Sequence, residues 1–243
     1  MDITILYEDD SLIVINKPPG LVVNRAQSVK GETIQDWVLL RQGFGGQAVL
    51  ADESDFYARA GIVHRIDKET SGCLIIAKHP AVFADIQRQF KERLVKKTYL
   101  AIVHGKILPQ LGEIRAPVGR LPWNRERFGI VPGGKDAVTK YFVKKTFIRQ
   151  VNSGNRNDSR NSCSLVELYP ETGRTHQIRV HLKYINHPIV GDFQYAGRKT
   201  ARADRLWAPR VMLHAWKVSF MHTIDHKELA IEAPVPDDMK SII

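Results

Sequence analysis

Short apolar runs, each closed by a turn signal, constrain this chain more than any other feature. Ile3–Tyr7 and Leu12–Ile15 flank the polar corner Glu8-Asp9-Asp10-Ser11. The pattern returns at Ile62–Val63, Cys73–Ala77, Tyr99–Val103, Val138–Phe147, Leu165–Tyr169, Val211–Leu213 and Trp216–Phe220. These runs read as strands, and none approaches the roughly 18 apolar residues of a membrane span. Helical spacing is rarer. Residues 32–41 predict one short helix, and Val82, Phe83, Ile86, Phe90 and Leu94 predict a second after Pro80. Ile178, Leu182 and Ile185 predict a third, starting from Thr175 as N-cap. Many antiparallel-type strands with three or so isolated helices predict an α+β fold.

Turn chemistry separates these runs. Asn16-Lys17-Pro18-Pro19-Gly20 predicts a sharp turn, with Gly20 where positive φ is required, and Leu21–Val23 continues extended. The Gly-rich stretch Gln42–Gln47 and the connector to about Arg59 predict a flexible loop, and Asn152–Ser162 a mobile hairpin loop. Hydrophobic residues make up 43% of the 243, too many for disorder and enough for one large domain or two small ones. The two cysteines, Cys73 and Cys163, cannot form a disulfide framework. Met1–Thr4 carries none of the features of a secretory signal, so a soluble, cytoplasmic protein is expected.

The net charge of +10 is unevenly spread. Residues 1–60 hold 5 basic and 9 acidic side chains, whereas residues 88–149 hold 15 basic and 4 acidic. Phe90, Tyr99, Trp123, Phe128, Tyr141, Phe142 and Phe147 are interleaved with that basic stretch. Cations mixed with stackable rings suit a nucleic acid; a solvated basic face is the alternative that charge alone leaves open.

Three segments could carry chemistry. His64-Arg65-Ile66-Asp67-Lys68-Glu69-Thr70-Ser71-Gly72 is a polar loop between two strand-like runs. It is either a rigid mount for the Asp67 carboxylate or a turn in which Asp67 bonds the amides ahead of Thr70, Ser71 and Gly72. Thr172–Leu182 gathers Arg174, His176, Arg179 and His181 on the first turns of a helix, where the dipole favours anions. His176 and His181 are five apart and no third ligand stands at a motif spacing, so no metal site is expected. Arg179 is placed to pair with a carboxylate from another loop, or to form an ordinary salt bridge with Glu167 or Glu171. Tyr99 opens a strand after the basic helix, as a functional ring or as half-buried core.

Taken together, these segments resemble the signature of the RluA-type pseudouridine synthases. His64–Gly72 matches the family's His-Arg-Leu-Asp-x-x-Thr-Ser-Gly with Ile66 for Leu, Lys97–Val103 its Lys-x-Tyr-x-Ala-x-Val, and Thr172–Leu182 its Thr-Gly-Arg-x-His-Gln-Leu-Arg-x-His. Weaker echoes are Val14–Val23, Ala137–Tyr141, His187–Asp192 and Leu213–Ala215, all in the family's order.

The resemblance implies a single catalytic domain over 1–243, two sub-halves around a central RNA-binding cleft. The separate N-terminal RNA-binding domain that many relatives carry is not expected. Val22-Val23-Asn24 departs from the His-Pro that relatives often have there. The implied activity is conversion of a uridine in ribosomal or transfer RNA to pseudouridine, without cofactor, metal, membrane or obligate protein partner, by a monomer. A catalytically silent RNA-binding or ribosome-assembly protein is the alternative.

The resemblance assigns Asp67 to glycosidic-bond cleavage. Tyr99 would stack on the uracil and take the C5 proton, Arg179 would pair with the catalytic carboxylate, and Arg65 would hold open the space left by the flipped nucleotide. His64, Thr70, Arg174 and His176 are expected to contact substrate or RNA. Arg120, Arg125 and Arg127, in the basic stretch, are expected to face RNA.

Overall fold

The computed structural model describes residues 1–27, 29–42, 55–149 and 162–243. In chain order the described elements are β1 (Thr4–Glu8), β2 (Leu12–Lys17), α1 (Ile34–Arg41), α2 (Asp55–Ala58), β3 (Ser71–Ala77), α3 (Pro80–Lys91), β4 (Lys96–His104), β5 (Leu111–Arg115), β6 (Val118–Leu121), β7 (Asn124–Ile130), β8 (Val138–Ile148), β9 (Ser162–Pro170), α4 (Gln177–Tyr184), α5 (Arg198–Asp204), β10 (Leu213–Met221), β11 (Glu228–Glu232) and α6 (Asp237–Lys240). The fold class is α+β, as expected. No helix among the described residues is long and apolar enough to cross a membrane.

The chain divides into two compact units, Met1–Lys96 with Ala215–Pro234, and Lys97–His214 with Val235–Ile243. In the first unit, β1 and β2 pair antiparallel around a corner set by Asp9, whose Oδ1 accepts the N–H groups of Ser11 and Leu12 at 2.7 and 2.9 Å. β2 pairs antiparallel with β3 from Leu12↔Ala77 to Lys17↔Gly72. β10 flanks β3, and β11 pairs with β10. All seven β3 residues are buried; on one face Cys73, Ile75 and Ala77 pack in a single core with Val82, Phe83 and Ile86 of α3 and with Val218 and Phe220. Burial raises the Cys73 thiol to about 12, which makes it an inert core residue.

In the second unit the strand order is β4-β9-β8-β5, with β6 and β7 forming a separate antiparallel hairpin. The β4–β9, β8–β9 and β5–β8 ladders are all antiparallel. Val118, Ala137, Val180 and Tyr195 form a small core against which Phe128 and Ile130 of the hairpin pack.

Several expectations from sequence are corrected. The helix after Pro80 stops at Lys91, short of Leu94. Arg93 enters the left-handed region (φ 62°), its N–H reaches the Phe90 carbonyl, and the Leu94 N–H reaches that of Gln89, a Schellman closure. Leu94 is therefore half exposed. The N-cap of α4 is His176 at φ 55°, not Thr175, and Ile185 lies beyond its last turn. Ile62 makes only an isolated bridge to Ile76. After the Asn16–Gly20 turn, the Val22 and Val23 carbonyls accept the Ile34 and Gln35 N–H groups at the start of α1. Val211–Leu213 and Trp216–Phe220 are not two strands, since β10 runs continuously through Leu213–Met221. The connector before Arg59 contains α2. Most of that connector and nearly all of the 152–162 loop lie outside the described residues.

Candidate active site

The loop that carries Asp67 is anchored at both ends by unusual means. Its entry lies along β3, where the Val63 N–H meets the Ile75 carbonyl at 3.4 Å. The next ladder position is taken by a side chain, because His64 Nε2 accepts the Ile75 N–H at 3.1 Å while the ring lies 4.9 Å from that of Phe90. His64 thus ends the strand pairing and turns the backbone away. Arg65 is exposed, Ile66 buried and Asp67 half-buried.

The exit is a tight turn, with the Thr70 N–H on the Asp67 carbonyl at 3.1 Å and Thr70 itself buried. The turn's Lys68 carbonyl accepts both the Gly20 N–H at 2.8 Å and the Lys17 ammonium at 3.0 Å. Lys17 is 0% exposed, and its Nζ also donates to the Pro18 and Leu21 carbonyls at 2.7 and 3.0 Å. A buried ammonium is tolerated only with such partners; three carbonyls match its three donors. Gly20, at φ 90°, makes the turn that converges them. Gly72 closes the segment at φ 111°, where a Cβ would fall 2.2 Å from the Ala215 carbonyl oxygen, so no side chain fits.

The second unit carries the other candidates. Tyr99 stands half-buried at the head of the buried β4 run Leu100–Val103, opposite Leu168. Burial lowers the neighbouring Lys97 ammonium to about 8. In α4, Arg179 is 8% exposed and forms a two-point ion pair with fully buried Asp192, Nε to Oδ2 at 2.7 Å and Nη2 to Oδ1 at 2.9 Å. Nη2 also donates to Gln194 Oε1 at 2.8 Å. Asp192 Oδ1 further accepts the Gln194 and Tyr195 N–H groups. The Asp192 carboxylate therefore fixes the guanidinium plane.

Gln177, buried, holds the approach to the helix. Its Oε1 accepts from Thr172 Oγ1 and the Arg174 N–H, and its Nε2 donates to the Val138 carbonyl and Thr139 Oγ1. Glu167 and Glu171 engage Lys144 and Lys140. Neither histidine is presented as half of a zinc pair. His181 is buried between Thr139 Oγ1 and the Ala116 carbonyl, and desolvation lowers its pKa despite the latter bond, whereas His176 Nδ1 meets the Tyr195 hydroxyl at 2.9 Å.

Two cations and three rings form a continuous series of contacts inside this unit. The Arg120 guanidinium lies 5.0 Å from the Phe128 ring centre, Phe128 meets His176 edge-on at 5.6 Å, His176 meets Tyr195 at 5.8 Å, and Arg179 lies 5.0 Å from Tyr195. The hairpin cation and the helix cation are thereby held on one set of rings.

Residues 11–184 match the model of the RNA pseudouridylate synthase family. The chain belongs to that family. It is 40% identical to the ribosomal large subunit pseudouridine synthase D of Nitrosomonas europaea, over 98% of this chain and 64% of that protein. Identity to the uncharacterized RNA pseudouridine synthase YlyB of Bacillus subtilis is 38%, over 100% of this chain and 72% of that one. The chain thus spans less than two thirds of the length of the first of these relatives. Among solved structures, human RNA pseudouridylate synthase domain containing 1 superposes with a TM-score of 0.72 at 28% identity, covering 96% of this chain and 83% of that one.

Within the family frame, His64, Arg65, Asp67 and Thr70 share one loop of the first unit. Tyr99, Arg174, His176, Arg179 and the hairpin arginines belong to the second. The hairpin raises Arg120, Arg125 and Arg127 around Trp123, which is 79% exposed. Arg174 Nε donates to the Asp136 carbonyl at 3.1 Å. Sequence reasoning missed Lys17, Asp192, Gln194 and Tyr195. A signal existed for two of them, since Lys17 stands in the Asn-Lys-Pro turn and Asp192 closes the His187–Asp192 segment. Gln194 and Tyr195 carried none.

Proposed function

We propose that the protein is an RNA pseudouridine synthase that acts on a uridine in structured ribosomal RNA, with Asp67 as its catalytic residue. The observation that carries this reading is family membership together with an Asp67 carboxylate on a loop tied down by His64 and Lys17. The large-subunit name of the Nitrosomonas relative favours ribosomal over transfer RNA.

The reaction conserves atoms. The N1–C1′ bond breaks, the uracil turns, C5 bonds to C1′, the C5 proton leaves to solvent and N1 regains one. Asp67 acts as the anion, whether on the sugar, the uracil or a ribose proton. The resemblance assigns Arg179 to pair with that carboxylate, and the two-point bond to Asp192 fixes the Arg179 guanidinium. Tyr99 stacks on the extruded uracil and takes the C5 proton. Extrusion costs a few kcal/mol, which phosphate contacts from the basic hairpin offset. Arg65, exposed beside Asp67, faces the RNA. The protein works as a monomer in the cytoplasm.

Mapping pseudouridines in large-subunit ribosomal RNA from cells with and without the gene tests this. One site should vanish on deletion, return with wild type and stay absent with Asp67→Asn. Full restoration by Asp67→Asn would instead make the protein an RNA-binding factor on the same fold.

A further inference from the structure

Residues of the β6–β7 hairpin and α4, with Gln194 and Tyr195, line an open cavity of about 380 Å³ whose lining includes neither Asp67 nor Tyr99. We propose that it holds one unstacked nucleotide of the RNA strand beside the target uridine, with the base among the rings and the phosphate between Arg127 and Lys183. This rests on the reading of the protein as an RNA-modifying enzyme.

The volume lies at the low end of pockets for small ligands, too little for a peptide element and enough for a nucleotide. Phe128 and Tyr195 supply aromatic walls, with Val180 and Ile130 between them. The Tyr195 ring is held by its hydroxyl, which accepts the Phe128 backbone N–H at 3.3 Å and meets His176 at 2.9 Å, and the Phe128 ring abuts His176 edge-on at 5.6 Å. Rigid aromatic faces accept any base by stacking.

The polar groups have one sign. The lining holds Arg127 and Lys183 and no acidic residue. Neither cation is engaged in an ion pair among the described residues. Such a pair at an apolar cavity complements a phosphate on an aromatic-seeking group, a description that fits a nucleotide better than a lipid or a neutral metabolite. Gln194 adds a base-edge donor, because its Oε1 is occupied by Arg179 and its Nε2 is left to donate to a base carbonyl or ring nitrogen. Gln194 and Tyr195 both touch Arg179. Filling the cavity therefore bears on the arginine assigned to the catalytic carboxylate, and the site can read the neighbour of the target as well as bind it.

The probe is a single-stranded oligouridine ten-mer with one central 2-aminopurine, whose fluorescence falls when it stacks. Wild type should bind and quench it. Tyr184→Ala and Lys183→Glu change exposed helix residues at the cavity, so folding is preserved and circular dichroism verifies it. Each should weaken binding about tenfold and reduce quenching, and Lys183→Glu should also lower the salt slope by about one. Asp67→Asn should leave binding and quenching unchanged. If both cavity variants bind and quench like wild type, the proposal is wrong. Pseudouridine formation is assayed in parallel on unmodified large-subunit ribosomal RNA. Its absence with intact, variant-sensitive quenching would overturn the enzymatic reading and spare the site; its presence with variant-insensitive quenching would do the reverse.

Discussion

Lys17 shows how much of a site can rest on a residue that touches no substrate. Its ammonium draws the carbonyls of Pro18, Leu21 and Lys68 together, and Lys68 adjoins Asp67. Lys17→Met keeps the volume but strands buried acceptors, at a cost of about 3 kcal/mol. Thermal melting should show a fall of roughly 6–12 °C, with activity lost even at temperatures where the variant is folded. A melting curve like that of wild type would show that the carbonyls are satisfied otherwise. Asp192 is the counterpart in the second unit. Asp192→Asn breaks the two-point grip on Arg179, so steady-state kinetics should show kcat reduced about 100-fold with KM within a few-fold, the pattern of a lost transition-state charge. A rise in KM alone would mean that Asp192 serves RNA binding.

The turns that join strands in the first unit carry a titratable cluster. His222 meets Asp9 at 2.9 Å and Asp225 at 2.8 Å, and Tyr7 donates to Asp9 at 2.7 Å. Burial alone would raise Asp9, but bonds from Tyr7, Leu12 and Ser11 hold it below its usual range, and the Lys227 N–H and His222 do so for Asp225. Depressed carboxyl values stabilise the fold above the unfolded pKa, and that contribution disappears as pH falls from about 4. The Tyr7 hydroxyl, raised to about 12 chiefly by its bond to Asp9, works in the opposite direction, stabilising below about 10 and ceasing to do so by about 12. Urea unfolding across pH should therefore show that Asp9→Asn flattens both limbs, and an unchanged alkaline limb would separate Tyr7 from Asp9. Elements with clean alternation, such as β8 with Thr139, Tyr141 and Val143 buried and Lys140, Phe142 and Lys144 exposed, were legible in the sequence. The β6–β7 hairpin was not, because Pro122, Gly119 and Gly129 interrupt a stretch of mostly exposed arginines. β10 was read as two strands because fully buried His214 sits where an apolar residue was expected. The α4 cap was misplaced because His176 is fixed by a tertiary bond to Tyr195 rather than by local capping chemistry.

For the molecule as a whole, the candidate reactive residues and two of their supports, Lys17 and Asp192, lay inside recognisable motifs, whereas Gln194 and Tyr195 act through tertiary neighbours that spacing does not encode. The +10 charge now has a specific element at its exposed end. Substituting Arg120, Arg125 and Arg127 with Gln should lower the log–log salt slope of RNA binding by roughly one for each phosphate no longer neutralised, and an unchanged slope would place the hairpin away from the RNA. Asp67 is the residue on which the proposed uridine isomerisation depends. The most direct test is release of tritium from large-subunit ribosomal RNA labelled at uridine C5. Wild type should release tritium in step with pseudouridine formed, and Asp67→Asn should release none while still binding the RNA. Release by Asp67→Asn at the wild-type rate would remove Asp67 from the chemistry.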